Sequence, residues 1–456
     1  MTAPTTPRDP RTHLTRKGLF VWAVSILIYL VAIVGRTSFG VAAVDAIDRF
    51  SVDGAHIALF TSVQIGVYAV AQIPTGMAID RFGPRRLLVI GALIMAIGQA
   101  TLALTTSYPI ALIARVFIGA GDATAFLSAM RILPFWFPLR HAPIFAQLTG
   151  AIGQLGQIIS AIPFLALLHA RGWTVAFLSL GAAGVLVAIA GWVAVADSPH
   201  GAASAEPAPT ASRRRGAGRA ALAYVLRSPV CWYGFFIHWS SMVMQFTFTL
   251  LWGLPLMTLG MGLSPHTAGL VLTVNTAVLI TASPLHGMLS SRLGLRRDVL
   301  VFTLTAALTL VWVGVLLPTH PWGAWAVIVL NIILAITVPA SNYAFDYVRE
   351  GLDRSIVATG TGLANMGGFT AAMISAQVIG WLLDHLSGPR LFEWQDFRIA
   401  LWTVVVVWAC GMIGMALLRG PATRRVRERL RLASTPVTAD RDDSELGATA
   451  PGDAAE

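Results

Sequence analysis

The sequence predicts an all-α membrane protein of 12 transmembrane helices, in two pseudo-symmetric six-helix bundles with N- and C-termini cytoplasmic. Composition points there first. Of 456 residues, 56% are hydrophobic and only 12% charged, and the mean hydropathy of +0.70 lies outside the range of an ordinary soluble domain. The apolar residues also gather into twelve runs, each long enough for a crossing of roughly 20 residues. Finally, one loop occurs twice. Gly76-Met-Ala-Ile-Asp80-Arg81-Phe-Gly83-Pro-Arg85-Arg86 returns, 211 residues later, as Gly287-Met-Leu-Ser-Ser-Arg292-Leu-Gly294-Leu-Arg296-Arg297. Gly, Arg, Gly, Arg and Arg coincide, and each copy joins one apolar run to the next. A duplicated membrane bundle with a charged loop in the same slot of each half is a construction of secondary transporters.

Residues 1–18 are polar and basic and form a cytoplasmic N-terminus; the first run is too long for a signal-peptide core, so no cleaved targeting segment is expected. The runs at 19–45, 57–80, 86–106, 110–135, 142–168 and 173–196 make a first bundle over 19–196. Residues 197–229 are rich in Ala, Pro, Ser and Gly, contain Arg213-Arg214-Arg215, and read as a flexible cytoplasmic linker. The runs at 230–259, 266–291, 298–317, 322–347, 355–386 and 396–418 make the second bundle over 230–418. The tail, 419–456, is basic and then acidic. Arg424 to Arg431 reads as a short interfacial helix, and Thr435–Glu456 as disordered. A second repeat agrees with the duplication: Ala146, Thr149, Gly150 and Gly156 match Ala358, Thr361, Gly362 and Gly368 at an offset of 212, opening the fifth helix of each half. Small residues at such spacing permit close helix contacts in lipid.

With this topology, 25 of the 32 Lys and Arg residues fall on the cytoplasmic side. Arg49, Arg171, Arg390 and Arg398 fall outside, and Arg36, Arg115 and Arg131 lie within runs. The pI near 10.5 therefore records membrane orientation and excludes a nucleic-acid partner. Cys231 and Cys410 have no CxxC spacing, which indicates neither a disulfide framework nor a metal site. No phosphate-binding loop, metal cluster or nucleophile elbow stands out, so neither an enzyme, a cofactor nor an ATP-driven pump is expected.

Charges inside the membrane carry the chemistry, because each is expensive there. Asp122 lies twelve residues into the fourth run, about 18 Å along it, near the midplane. It reads either as a proton carrier or as half of a buried ion pair. Arg115, seven residues earlier on the same face, is placed nearer the outer interface, where it can snorkel. Arg131 points to the opposite face near the cytoplasmic end. Arg36 shares a stripe on the first helix with Tyr29 and Ser25. Its planar fork suits a carboxylate or phosphate, unless it snorkels to the outer headgroups. Gln64, Tyr68, Gln72, Gln154, Gln157, Asn275, Asn342 and Asn365 either line a cavity or hold helices together. On the seventh helix His238, Ser241, Gln245 and Trp252 share a face. Asp346 and Arg349 precede Asp353-Arg354 and read as a gate cluster analogous to the loop of the first half.

Over residues 19–418 the chain resembles the major facilitator superfamily. Gly76, Asp80, Arg81, Gly83, Arg85 and Arg86 match that superfamily's loop between the second and third helices. The resemblance implies that this loop latches the cytoplasmic face in one of two alternating states; the second copy has Ser291 in place of the acid. Arg36-Thr-Ser-Phe-Gly-Val-Ala is similar to the first-helix motif of the organophosphate and anion:cation symporter branch. Arg115-Val-Phe-Ile-Gly119-Ala-Gly-Asp122-Ala-Thr-Ala-Phe126, followed by Trp136-Phe137-Pro138, is similar to that branch's fourth helix. By this likeness Arg36 binds the substrate anion and Asp122 couples protons; from their own positions on the helices described above, Tyr29, Gln154, His238 and Gln245 are expected to complete the substrate site. Two departures matter. No second arginine occupies the seventh helix, which disfavours a dianionic phosphate, and Gly35 stands where sugar-acid symporters carry an acid.

The expected function is secondary active transport of a small, anionic organic solute by alternating access, coupled to protons. The expected protein is a monomer in the cell membrane, whose partners are the solute, protons and the lipid bilayer. The alternatives are a proton-coupled exporter and a non-transporting sensor on the same fold. Against export, Gly150, Gly153 and Gly156 lack the adjacent proline of the antiporters' fifth helix.

Overall fold

The computed structural model describes residues 13–52, 54–199, 211–388 and 390–434. Among them every regular element is helical, with no strand. Nine stretches are long and apolar enough to cross a membrane. Two are too long for a single crossing. Ala142–Ala194 has 53 residues and Pro265–Leu316 has 52, roughly 80 Å of helix against a hydrocarbon core of about 30 Å. Each folds back where a glycine takes a left-handed conformation, at Gly172 (φ 78°) and at Gly294 (φ 52°). Gly83, the duplicated partner of Gly294, also has positive φ, at 86°. The repeated glycine thus marks a turn that a side chain would strain.

The first half contains α1 (Arg16–Val41), α2 (Gly54–Phe82), α3 (Pro84–Leu104), α4 (Tyr108–Trp136), α5 (Ala142–Ile159) and α6 (Leu165–Ala194), with a π-helical turn at Ser160–Phe164 joining the last two. After α7 (Ala211–Arg227), the second half contains α8 (Pro229–Phe246), α9 (Pro265–Leu293), α10 (Arg297–Leu316) and α11 (Ala324–Thr337). It closes with α12 (Tyr343–Gly351), α13 (Val357–Ser387) and α14 (Trp402–Ser434). α2 and α14 each carry an internal proline, Pro74 and Pro421.

Two segments differ from the sequence expectation. The stretch read as a flexible linker contains α7, whose Ala, Leu and Arg residues are strong helix formers. The basic run Arg424–Arg431 is the last part of α14, continuous from Trp402, and no separate helix. Val426 within it is fully buried, and Arg429 Nη2 lies 3.2 Å from Asp353 Oδ2. The Ser355 N–H and hydroxyl donate to Asp353 Oδ1. Those bonds, with Arg429 beside them, hold the Asp353 carboxyl below the usual carboxylate range. The expected disorder of Thr435–Glu456 and most of the N-terminus 1–18 lie outside the described residues.

The halves meet through the two duplicated loops, crosswise. A Cβ on Gly76 of α2 would stand 2.5 Å from the Ala358 carbonyl oxygen of α13. A Cβ on Gly287 of α9 would stand 2.7 Å from Ile144 Cα of α5. Each half therefore presses its loop-bearing helix against the start of the other's fifth helix, the site of the second sequence repeat. Gln147 Nε2 donates to the Pro339 carbonyl (2.7 Å), and Asn342 Nδ2 donates back to Gln147 Oε1 (2.9 Å), across the same seam.

Candidate functional site

Small residues let α4 carry a carboxylate into the interior. Gly119 lies against Gln64 of α2, and Gly121 against Gly91 of α3, where a Cβ would stand 2.4 Å from the Gly91 carbonyl oxygen. Asp122 follows and is fully buried. Arg36 of α1 reaches it in fork geometry, Nε to Oδ2 at 2.5 Å and Nη2 to Oδ1 at 2.9 Å. The Arg36 side chain keeps 24% exposure while Asp122 has none. Its guanidinium also lies 4.5 Å over the Tyr68 ring of α2. Two residues that the sequence offers as separate sites are thus one pair, 86 positions apart.

The surroundings explain local details. Gln99 Nε2 donates to the Gly35 carbonyl at 3.0 Å, and a Cβ on Gly35 would stand 2.9 Å from that nitrogen. A side chain at Gly35 would have to displace the ends of Gln99 and Met95, the first of which holds the Gly35 carbonyl. Tyr29 packs against Gly153 and lies 5.5 Å from the Phe126 ring. Ser25 turns to its own helix and donates to the Val21 carbonyl.

Arg115 requires a correction. It does not snorkel outward; it is 1% exposed. Its guanidinium lies 4.5 Å over the Phe39 ring, and Nε is 3.5 Å from the Phe60 carbonyl. Aromatic residues of α1 and α2 enclose the end of α4, so depth along the helix did not mean access to headgroups.

In the second half His238 is buried, its Nδ1 accepting from the Gly368 N–H at 3.0 Å. Gln245 and Asn275 bond reciprocally (2.9 and 3.4 Å), and Asn275 donates on to the Asn331 carbonyl. Gln154 accepts from Gln157 within α5. The hydrogen bonds of His238, Gln245 and Gln154 run to groups other than Arg36 and Asp122.

The loop residues separate into distinct settings. Asp80 accepts from Arg131 Nε (3.1 Å), the Ala358 and Thr359 N–H groups (3.0 and 2.7 Å) and the Thr359 hydroxyl (2.7 Å). It caps α13 from the other half, where the first N–H groups of a helix lack partners. Gly83 and the Arg85 N–H meet Asp197 instead. Arg85 also lies over the Trp192 ring, while Arg81 and Arg86 are exposed. Asp346 bonds Arg349 Nη2 (2.5 Å) and Ser290 Oγ (2.5 Å), with Arg297 Nη1 at 3.4 Å. These partners all belong to the second half. Arg297 further grips Glu350 through Nη2, at 2.7 and 2.6 Å. Sequence reasoning missed Glu350 and Thr359 altogether; Glu350 was within reach, four residues after Asp346 on one helical face.

Comparison with known proteins agrees with this architecture. The sequence profile of the Major Facilitator Superfamily matches residues 25–342 and 242–441. The Hexuronate transporter of Bacillus subtilis is 22% identical over 379 residues, covering 80% of this chain and 87% of that protein. The "Probable sulfoacetate transporter SauU" of Cupriavidus necator is 28% identical over 162 residues, 36% of this chain and 38% of that one. The "Probable L-galactonate transporter" of Escherichia coli is 25% identical over 170 residues, 37% of each. The chain thus spans about two-fifths of these last two relatives. Among solved structures, the proton:xylose symporter XylE matches with TM-score 0.61 at 13% identity, over 86% of this chain and 95% of that one. A bacterial homologue of the lysosomal transporter Spinster, inward-facing, matches with TM-score 0.55 at 19% identity, over 93% and 100%.

Proposed function

Since the chain belongs to the Major Facilitator Superfamily, and is thereby a multi-pass membrane transport protein, we propose that it moves a small organic anion by alternating access, together with protons. The Arg36–Asp122 pair carries this reading. While Asp122 is ionised it occupies both prongs of the Arg36 guanidinium, which faces it in fork geometry. A substrate carboxylate can take that fork once a proton cancels the Asp122 charge, so anion and proton load together. The partial exposure of Arg36 beside a fully buried Asp122 leaves the cation approachable and the acid sheltered. Relatives whose names mention sulfoacetate, L-galactonate and hexuronate support an anionic solute.

Two crossings in each of Ala142–Ala194 and Pro265–Leu316, one in each of the other seven stretches and one in α2 make twelve. The bias of Lys and Arg puts both termini in the cytoplasm of a cell-membrane protein, read here as a monomer. Asp80 and the crossed glycines then hold the cytoplasmic end shut, and the state is outward-facing. Purified protein in vesicles with an imposed pH gradient, offered an anion panel and a cationic dye, tests the proposal. Anion accumulation driven by the gradient is expected. Dye extrusion without anion uptake would replace it with the exporter reading.

A further inference from the structure

We infer that the substrate class of this site is an aromatic monocarboxylate, an inference that rests on Arg36 being the anion site. Two rows of rings lead from the first half into the second. The first begins at Arg36, with Tyr68 under its guanidinium at 4.5 Å, Phe369 4.7 Å from Tyr68, and Phe246 4.9 Å from Phe369. The second runs Tyr29, Phe126, Phe345, His238 at 5.5, 5.3 and 5.3 Å. A carboxylate held by Arg36 therefore has ring faces beside it.

Most of the amides that would read sugar hydroxyls are already joined to one another, the Gln64 amide of α2 being left without a partner. Gln245 and Asn275 bond reciprocally. Asn365 donates to Gln72 Oε1 (2.8 Å) and the Tyr68 hydroxyl (3.3 Å), and Gln157 donates to Gln154. A polyhydroxy acid would have to share or break these pairs to replace the water its hydroxyls lose, whereas a benzene ring needs no polar partner. One charge follows from the same geometry. The next guanidinium on α4, Arg115, is 1% exposed against the Phe39 ring, so its unpartnered Nη1 is enclosed rather than presented to a ligand.

The test is displacement binding on the full chain with benzoate and glucuronate as probes. Benzoate is expected to bind about tenfold more tightly, the scale of one or two aromatic contacts. Phe369→Leu should cut benzoate affinity about fivefold and leave glucuronate unchanged, with the parent's elution profile confirming the fold. Equal affinity for the two probes, or an equal loss of both in Phe369→Leu, overturns the aromatic assignment. Arg36→Lys separates the layers: weakening of both probes keeps the anion site whatever the aromatic outcome. Unchanged binding of both removes the anion site and this inference with it.

Discussion

Arg36 and Asp122 show what one side chain contributes when its partner is buried. Arg36 donates two parallel bonds that an ammonium cannot copy. Arg36→Lys should lower anion affinity about tenfold or more at unchanged expression, measured by binding to the purified protein. Retained affinity would place the anion elsewhere. Asp122→Asn imitates the protonated acid and leaves Arg36 permanently free. It should abolish accumulation driven by a proton gradient yet preserve counterflow in the same vesicles. Gradient-driven accumulation by the variant would reduce Asp122 to a structural partner. The sequence showed each residue, because a charge inside an apolar run is conspicuous. Their union was not legible, since nothing in one sequence fixes how α1 is rotated against α4. Arg115 misled for the same reason: distance along a helix says nothing about which neighbours close over it.

Asp80 acts at the scale of an element, because it terminates a helix that belongs to the other half. Its carboxylate satisfies the Ala358 and Thr359 N–H groups, and hydrogen bonds to a charged acceptor are worth about 1.5–3 kcal/mol each. Asp80→Asn keeps the shape and removes the charge, so it should shift the protein away from the state closed at this end. Cysteine labelling at the two mouths measures the shift; a pattern identical to the parent's would deny Asp80 that part. The loop motif was plain in the sequence, but its contact was not, since two of the four donors to Asp80 are backbone N–H groups that carry no residue signature. Helix α7 escaped notice because its Ala and Arg residues are too polar in sum for a membrane run, though they favour helix. Periodicity finds faces, and α7 presents little apolar face to find.

At the scale of the whole molecule the two halves are held by contacts that repeat. Gly76→Leu and Gly287→Leu each insert a side chain where the backbone of the other half already stands. Each alone should open the seam in part, and the pair together nearly add, since the two sites press on different residues. Labelling at the latch end reads this out, and a double variant labelled like the parent would show that the seam tolerates bulk.

Loop helix of one half on fifth helix of the other, and the reverse, is the self-complementary contact of an isologous dimer, here drawn within a single chain. Such an axis asks for like surfaces at the seam and asks nothing of the centre. Counting 211 residues on from Arg36 and Asp122 arrives at Thr247 and Ile333. The seam has kept its dyad, and the charge pair lies wholly to one side of it. A ligand drawn to that charge would sit off the axis, its charged end in one half and the rest of it facing the other.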